Sequence, residues 1–232
     1  MTTTSQARPG QGGPPLGILA VVATALFAGG LVVSTAISGG HPYPSPFGAA
    51  ATILGYFRAE HTAVRISGFT QFGAAVPLGI YAATASARLR NLGIRAPGAT
   101  IALAGGLAAA VMLALSGLLT WALSRPEVTA EPAVIRALHD LAFAAGGVGY
   151  VVFSGLLLAG IAVPGLLAGL LPRPLAWAGL AIAAIAELST LTLLAPAAAI
   201  LLPAARFTGL AWLIAAGFML PRTRQNRAAT NT

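Results

Sequence analysis

The sequence is divided by long stretches that carry almost no charge. A helix of about 20 residues covers the roughly 30 Å hydrocarbon core of a bilayer. Four stretches of that length or more have no charged residue at all: Leu16–Ile37, Ile66–Ala87, Pro97–Ser124 and Leu141–Pro172. A fifth, Pro174–Ala205, contains a single charged residue, Glu187. The alternation of polar and apolar residues typical of outer-membrane barrels is absent. The pattern predicts an α-helical membrane protein.

The composition supports this class and excludes several chemistries. Only 8% of the residues are charged, against about 25% in soluble domains. The chain has no cysteine, which excludes disulfides and thiolate ligands or nucleophiles. All 13 basic residues are arginine, so a lysine Schiff base is impossible. The net charge of +8 does not indicate nucleic-acid binding, because the arginines are scattered at the ends of the apolar stretches.

Six membrane-spanning helices account best for the apolar stretches. The last stretch is too long for one crossing, and Pro196 and Pro203 mark a turn or kink within it. We therefore predict an all-α fold, a six-transmembrane-helix bundle with spans at about 16–38, 66–88, 98–124, 133–163, 175–195 and 198–220. The bundle forms a single domain, residues 16–220. A disordered tail, residues 1–15, would precede it, and a basic cytoplasmic tail, residues 221–232, would follow.

The placement of arginine predicts the orientation. Cytoplasmic loops of membrane proteins are enriched in basic residues. With both termini in the cytoplasm, eight arginines lie inside: Arg8, Arg88, Arg90, Arg95, Arg173, Arg222, Arg224 and Arg227. Five fall toward the outside, together with Glu60, Glu127, Glu131 and Asp140. Both termini are therefore expected in the cytoplasm.

The connection His41–Arg65 is predicted to be more than a loop. Ser45 followed by Pro46 is typical of a helix N-cap and first helical residue. Apolar residues then recur at spacings of three and four: Phe47, Ala50, Leu54, Phe57, His61 and Val64. This spacing predicts one apolar face on a helix. We expect an amphipathic outer segment between the first and second spans, lying on or dipping into the membrane.

Glu187 is the first candidate for a functional residue. A charge at bilayer depth costs about 2.5–3.5 kcal/mol on insertion scales and usually faces the bundle. Glu187 lies nine residues before Pro196, and Arg206 lies nine after Ala197, so a tight hairpin would place both at one depth. An ion pair between them is expected. It would either fix two helices together or tune a site at which Glu187 binds a proton or a cationic substrate.

A second set of candidates lies toward the outer face. Arg136, His139 and Asp140 share one face of a helix, as do Arg58, His61 and Arg65. Gln71 is a polar residue within the second span. These residues would either line a polar pocket that opens outward or form solvated, salt-bridged helix ends. We single out as binding or coupling candidates Glu187, Arg206, His139, Asp140, Arg136, His61, Arg58 and Gln71.

No catalytic or cofactor motif stands out. His61 and His139 are two histidines on separate helices that could supply axial ligands to a haem or bind a metal. Their spacing matches no known metal signature, and no zincin, nucleophile-elbow or phosphate-loop pattern occurs. We therefore predict no cofactor and assign no catalytic residue, and an enzymatic activity is the less favoured interpretation.

Two stretches of the chain resemble known sequences. They are His61–Gly93, which includes HTAVRISGFTQFG, and Ala137–Leu171, which includes LHDLAFAAGGVGYVVFSG. Both resemble segments of uncharacterised polytopic inner-membrane proteins of high-GC bacteria. The resemblance implies an inner-membrane location and no particular activity.

Three functions fit these observations. The first is a membrane protein that binds or transports a small solute or lipid through an outward-facing polar pocket. The second is an interaction or sensory subunit without transport, which would dock a membrane-protein partner or anionic lipid on its basic cytoplasmic face or form a homo-oligomer. The third is a membrane-embedded haem or metal enzyme that uses His61 and His139. The lipid bilayer is a partner in all three, and nucleic acid in none.

Overall fold

The uncharged stretches form helices, the structure in which a chain satisfies its own backbone hydrogen bonds without water. A computed structural model describes residues 13–223, and no strand occurs among them. Most of the predicted disordered tail (residues 1–12) and of the predicted basic tail (residues 224–232) lies outside the described residues. The α-helices are α1 Leu16–Ile37, α2 Ala50–Ala59, α3 His61–Asn91, α4 Gly98–Ala122, α5 Pro126–Thr129, α6 Pro132–Phe143, α7 Tyr150–Leu167, α8 Arg173–Leu188 and α9 Leu201–Met219.

Three short helical segments of other geometry complete the chain. A π-helical segment, Ala144–Gly149, joins α6 to α7 without a break. Two 3-10 segments, Ser189–Leu193 and Pro196–Ile200, connect α8 to α9. Between them Ala195 is extended, with φ −139° and ψ 113°. The turn between the last two long helices is therefore made of two tight helical pieces, at the place where the sequence predicted a turn.

Five helical stretches among the described residues are long and apolar enough to cross a membrane. They are Leu16–Ile37, Gly98–Ala122, Pro132–Leu167, Arg173–Leu193 and Pro196–Met219. The prediction of a helical protein with several apolar spans is thus confirmed. The remaining long helix, α3, has 31 residues but does not reach the same apolarity.

The long helices pack side by side in a closed order. Helix α3 lies between α1 and α4, α4 packs on α7, α7 on α8, α8 on α9, and α9 returns to α1. Hydrogen bonds link distant parts of this ring: the Tyr81 hydroxyl donates to the Leu213 carbonyl oxygen at 3.1 Å, and the Trp212 indole to that of Leu175 at 2.7 Å. We call the end at which α1 begins and α9 ends the terminal end, and the opposite end the cap end.

The cap end is covered by short elements that have a small core of their own. Ile53 and Phe57 of α2 pack with Val64, Leu123 and Ile135, all fully buried. The Arg58 guanidinium donates hydrogen bonds to the carbonyl oxygens of Thr129 and Ala130, which tie α2 to α5. One face of α2 therefore packs against the other elements of the cap end.

The start of this helix differs from the prediction. Ser45 does not cap a helix: the helix begins at Ala50, and the Ser45 hydroxyl accepts only a local bond from the Phe47 amide at 3.3 Å. Phe47, the first residue of the predicted apolar face, is half exposed, while Ile53 is buried in its place. The chain between Ser38 and Ala49 instead runs as a turn-rich cap segment, because its prolines remove the backbone donors that a helix needs.

Helices α3 and α4 make one of the closest contacts in the bundle through two glycines. A Cβ atom on Gly68 would lie 2.6 Å from the Trp121 amide nitrogen and 2.8 Å from the Gly117 carbonyl oxygen. A Cβ atom on Gly117 would lie 2.7 Å from the Phe72 amide nitrogen. Because backbone atoms fill both positions, neither glycine can be enlarged without moving a helix.

We expect Gly117→Val to lower the stability of the folded protein by about 1–3 kcal/mol, the usual cost of overpacking a well-packed contact. The measurement is the thermal unfolding midpoint of the purified protein in detergent. Gly29→Val is the matched control, since a Cβ atom at Gly29 meets nothing within 4 Å. An equal loss in both variants would contradict the close contact.

Candidate functional site

A cavity of about 270 Å³ lies toward the cap end, where the cap segment meets α1, α3, α4, α6 and α9. We call it the Arg206 cavity. Its polar lining comes from different elements and consists of Tyr43, Ser67, Gln71, Ser116, Thr120, His139 and Arg206. Its walls are otherwise apolar and include Phe27, Leu31, Phe143, Leu202 and Phe207. A small apolar cavity with a few converging polar groups is the usual form of a ligand site.

Arg206 contributes the charge of this cavity. Its Nη2 donates a hydrogen bond to the Gly146 carbonyl oxygen. Its guanidinium carbon lies 5.1 Å from the centre of the Phe27 ring and 5.2 Å from that of Tyr150, within the range of cation–π attraction. Its Nε is buried and has no hydrogen-bond partner within residues 13–223. The cation is thus held by the Gly146 carbonyl dipole and two aromatic rings, and its buried Nε–H remains without a partner among the described residues.

The π-helical segment shapes the wall opposite Arg206. Gly146 presents its carbonyl oxygen to the arginine, and its missing side chain leaves room for two polar neighbours. A Cβ atom there would come within 2.2 Å of the Ser116 hydroxyl oxygen and 3.0 Å of the Gln71 amide nitrogen. π-helical turns are rare and often occur at functional sites.

Gln71 and Ser116 form a short hydrogen-bonded chain in this wall. The Gln71 amide donates to the Ser116 hydroxyl at 2.9 Å, and that hydroxyl donates to the Ala142 carbonyl oxygen at 2.8 Å. These hydrogen bonds link α3, α4 and α6 through polar groups rather than through apolar packing. Its members are positioned by three helices at once, so the polar wall is rigid.

His139 and Tyr43 form the part of the cavity nearest the cap segment. His139 is fully buried, and its Nε2 lies 3.1 Å from the Pro44 carbonyl oxygen. A carbonyl can only accept, so Nε2 is the protonated nitrogen, and Nδ1 is left buried without a partner among the described residues. The imidazole also contacts the rings of Phe57 and Tyr43, with centroids 5.1 and 5.6 Å away.

The Tyr43 hydroxyl is buried as well. Burial raises its pKa well above the usual value, because the phenolate form would lose its hydration. The Thr120 hydroxyl is the neighbour that opposes this shift, although the two groups do not meet at full hydrogen-bond geometry. Tyr43 is therefore neutral and can act as a hydrogen-bond donor toward the cavity.

A second cavity of similar size lies beside the first and shares Phe143 with it. It contains Arg136 and Asp140, which form an ion pair at 3.1 Å, four residues apart on α6. Arg136 also donates to the Pro46 carbonyl oxygen at 2.8 Å. Because its charges are already paired, this second cavity is electrically balanced.

The structure brings together some of the candidate residues and separates others. Gln71, His139 and Arg206 line the Arg206 cavity, and Arg136 and Asp140 line its neighbour. Arg58 is used in the contact between α2 and α5. His61 begins α3 and is not among the described residues that line either cavity, although its Nδ1 is buried without a partner.

The expected ion pair between Glu187 and Arg206 is wrong. Among the described residues the ion pairs are Arg136–Asp140 and Arg125–Glu127. Glu187 is exposed on α8, and its Oε1 lies beside Gly155 of α7. Arg206 of α9 instead donates to the carbonyl oxygen of Gly146, which lies in the π-helical segment nine residues before Gly155. Counting residues gave both side chains one height, but not the direction in which each points around its helix axis.

Several residues of the cavity were not candidates from the sequence, among them Tyr43, Ser116 and Gly146. Tyr43 lies in the proline-rich connection before α2, and Ser116 is one small polar residue among many. Gly146 belongs to a glycine pair whose expected role is helix packing. The glycine-rich run Ala144–Gly149 between two apolar stretches was the available signal, because such a run favours an irregular helical turn.

The described residues of the cavity do not form a typical metal-binding site. Within the described part of the chain, no group of three or more metal-ligating side chains of the usual kinds comes together. The Nε2 of His139 is occupied with Pro44, and His61 lies outside both cavities. The paired-histidine site that the sequence left open is therefore not assembled by the residues of this cavity.

The fold and cavity define an all-helical protein with five helices suited to a membrane and a small, positively charged cavity near one end of the bundle. Comparisons with models of known protein families, with curated proteins and with solved structures each find no match. The function is therefore inferred from the cavity itself.

We expect Ser116→Ala to destabilise the protein by about 1–3 kcal/mol, since the Gln71 amide and the Ala142 carbonyl oxygen would both lose a buried partner. Thermal unfolding in detergent measures the loss. Ser154→Ala is the control, because that buried hydroxyl bonds only the Val151 carbonyl oxygen of its own helix. If the control were as damaging as the test variant, the hydrogen-bonded chain would not be the cause.

Proposed function

We propose that the protein is a six-span membrane protein that binds a small solute or lipid, and carries it, through a cavity open toward the outer face. The observation that supports this best is the convergence of Gln71, His139 and Arg206 with buried hydroxyl groups in one cavity at the cap end. Polar and charged side chains inside a membrane bundle are costly and usually mark a binding site or a pathway.

Helix α3 is the proposed sixth span. It packs between α1 and α4, two helices that are apolar enough to cross. Large apolar side chains are exposed at spacings of three and four along one of its faces: Phe69, Phe72, Val76 and Ile80. Its buried face is mostly alanine, glycine and serine, which lower the mean hydropathy without adding charge. This distribution suits a helix with one face on lipid and the other in a close-packed bundle.

The proposed location is the bacterial inner membrane, with the terminal end in the cytoplasm. Arginines without any acidic neighbour in the described chain gather at that end: Arg88, Arg90, Arg95, Arg173 and Arg222. The cap end carries arginines mixed with all of the acidic residues except Glu187: Glu60, Glu127, Glu131 and Asp140. Basic residues in short loops are retained in the cytoplasm, so the cap end, with the cavity, would face outward.

The absence of cysteine makes the topology directly testable. We expect Ser45→Cys and Glu127→Cys to react with a membrane-impermeant maleimide on intact cells, and Arg95→Cys to react only after the membrane is permeabilised. All three positions are exposed. Ser45 and Arg95 flank α2 and α3, so labelling of both from the same side would contradict a crossing by α3.

Access to the cavity can be tested in the same cysteine-free protein. We expect Ser67→Cys, which replaces a residue of the cavity wall, to react from outside with a small neutral methanethiosulfonate. Ser86→Cys is the control, because Ser86 is buried at the other end of α3 and bonds the Ala99 carbonyl oxygen. A cavity sealed from the outside would leave both variants unlabelled while Glu127→Cys still reacts.

A further inference from the structure

Arg206 gives its cavity a positive charge that no carboxylate of the described chain balances. None of the described residues that line the cavity is acidic. The chain has five acidic residues. Asp140 and Glu127 are paired with Arg136 and Arg125, and Glu187 is exposed on α8. The other two, Glu60 and Glu131, immediately precede α3 and α6 and do not line the cavity. A buried cation is normally matched by an anion, because dipoles alone recover only part of its lost hydration.

The hydrogen-bond donors that line the cavity can bind an anion that balances the charge of Arg206. Arg206 has its buried Nε unused, and Nη2 is turned toward the Gly146 carbonyl oxygen. The hydroxyl groups of Tyr43 and Thr120 belong to the same lining, and each can donate one hydrogen bond. A guanidinium edge with neighbouring hydroxyl donors favours a planar, singly charged oxyanion, and a carboxylate fits its geometry best.

The apolar wall and the volume limit the rest of the ligand. Phe27, Leu31 and Phe207 line the cavity next to Arg206, so the body of the ligand would meet aromatic and aliphatic carbon. A volume of about 270 Å³ is just below the range of about 300–1,000 Å³ found for drug-sized ligands. One arginine would also leave the second charge of a phosphate dianion unmatched.

We propose that the Arg206 cavity binds a small organic monocarboxylate with a short apolar or aromatic tail. The carboxylate sits on the free edge of the Arg206 guanidinium, and the tail lies against the aromatic wall. This inference rests on the proposed function, since it requires a cavity that small molecules enter. It adds the charge and the chemical class of the ligand.

The sign of the charge is tested with the Ser67→Cys protein in right-side-out membrane vesicles. Two methanethiosulfonates of similar size are compared, one with a sulfonate and one with a trimethylammonium group. We expect the anionic reagent to be favoured on the order of tenfold over the ratio seen at the exposed Glu127→Cys position, because the Arg206 charge acts through a medium of low dielectric constant.

Substitutions of Arg206 test whether its charge causes the preference for the anionic reagent. In the Ser67→Cys background, Arg206→Gln should abolish the preference for the anionic reagent, and Arg206→Lys should retain it. Arg65→Gln is the matched control, since it removes an exposed charge of α3 that lies outside the cavity lining and should leave the ratio unchanged. A preference that survives Arg206→Gln, or disappears with Arg65→Gln, would overturn the assignment to Arg206.

The ligand class is tested by protection of Ser67→Cys from the neutral reagent. Benzoate should slow the reaction, whereas benzamide and benzylammonium, which share its ring, should not. This comparison uses only the Ser67→Cys protein, so it stands even if Arg206→Gln fails to fold. Equal protection by all three compounds, or by none, would overturn the carboxylate proposal.

The two proposals fail in different ways. If Ser67→Cys reacts with the neutral reagent but shows no charge preference and no protection by benzoate, the open cavity stands and the carboxylate is wrong. If Ser67→Cys does not react with the neutral reagent while Glu127→Cys does, the cavity is closed and the proposed function itself is wrong.

Discussion

The bundle depends on helix backbones that come into direct contact. At Gly68 and Gly117 the backbones of α3 and α4 occupy the space of a side chain, and at Gly160 the backbone of α7 meets Ala102 of α4. In lipid, apolar side chains gain little by leaving the membrane for the protein, so close packing of small residues must supply much of the attraction between helices. The helices α3, α4 and α7 thereby form a rigid core, on which α1, α8 and α9 pack.

The same contacts determine where a cavity can exist. Where small residues face each other, no space remains, and the interior of α3, α4 and α7 toward the terminal end is filled by residues such as Ala82, Ala102 and Ile161. Toward the cap end the facing positions carry Gln71, Ser116 and His139, whose polar atoms must be paired. Pairing fixes these side chains in the wall and keeps them from collapsing into the space that Arg206 enters.

The fold was largely predictable because it follows from length and apolarity, which are local properties. The long helices and the turn near Pro196 begin and end within a few residues of the predicted limits. The π-helical segment was not expected, since it changes neither the length nor the apolarity of the stretch Leu141–Pro172. The start of the helix in the connection His41–Arg65 was placed too early, because the serine-proline signal at Ser45 was outweighed by the loss of donors at the neighbouring prolines.

The cavity was predictable only in part, because it depends on the direction of side chains in space. Gln71, His139 and Arg206 were found by their polarity in apolar surroundings. Glu187 has the same polarity but is exposed on α8 and is not among the described residues that line the cavity, and residue counting carries no information on that direction. Tyr43 gained its role only when the cap segment folded over α6, a contact between His139 and Pro44, which are 95 residues apart. Ser116 gained its role when α4 met α3 and α6.

The cap segment explains why Arg206 differs from the other charged candidates. Three prolines leave the cap segment with fewer backbone donors than acceptors, so donors from other elements help to hold it in place. His139 donates to the Pro44 carbonyl oxygen, and Arg136 to that of Pro46, so both side chains are engaged in closing the cap end. Arg206 lies on α9, and its hydrogen bond goes to Gly146 and not to the cap segment. Of the cations near the two cavities it alone, within the described chain, combines a buried position with an unpaired donor, and that combination is what a bound anion requires.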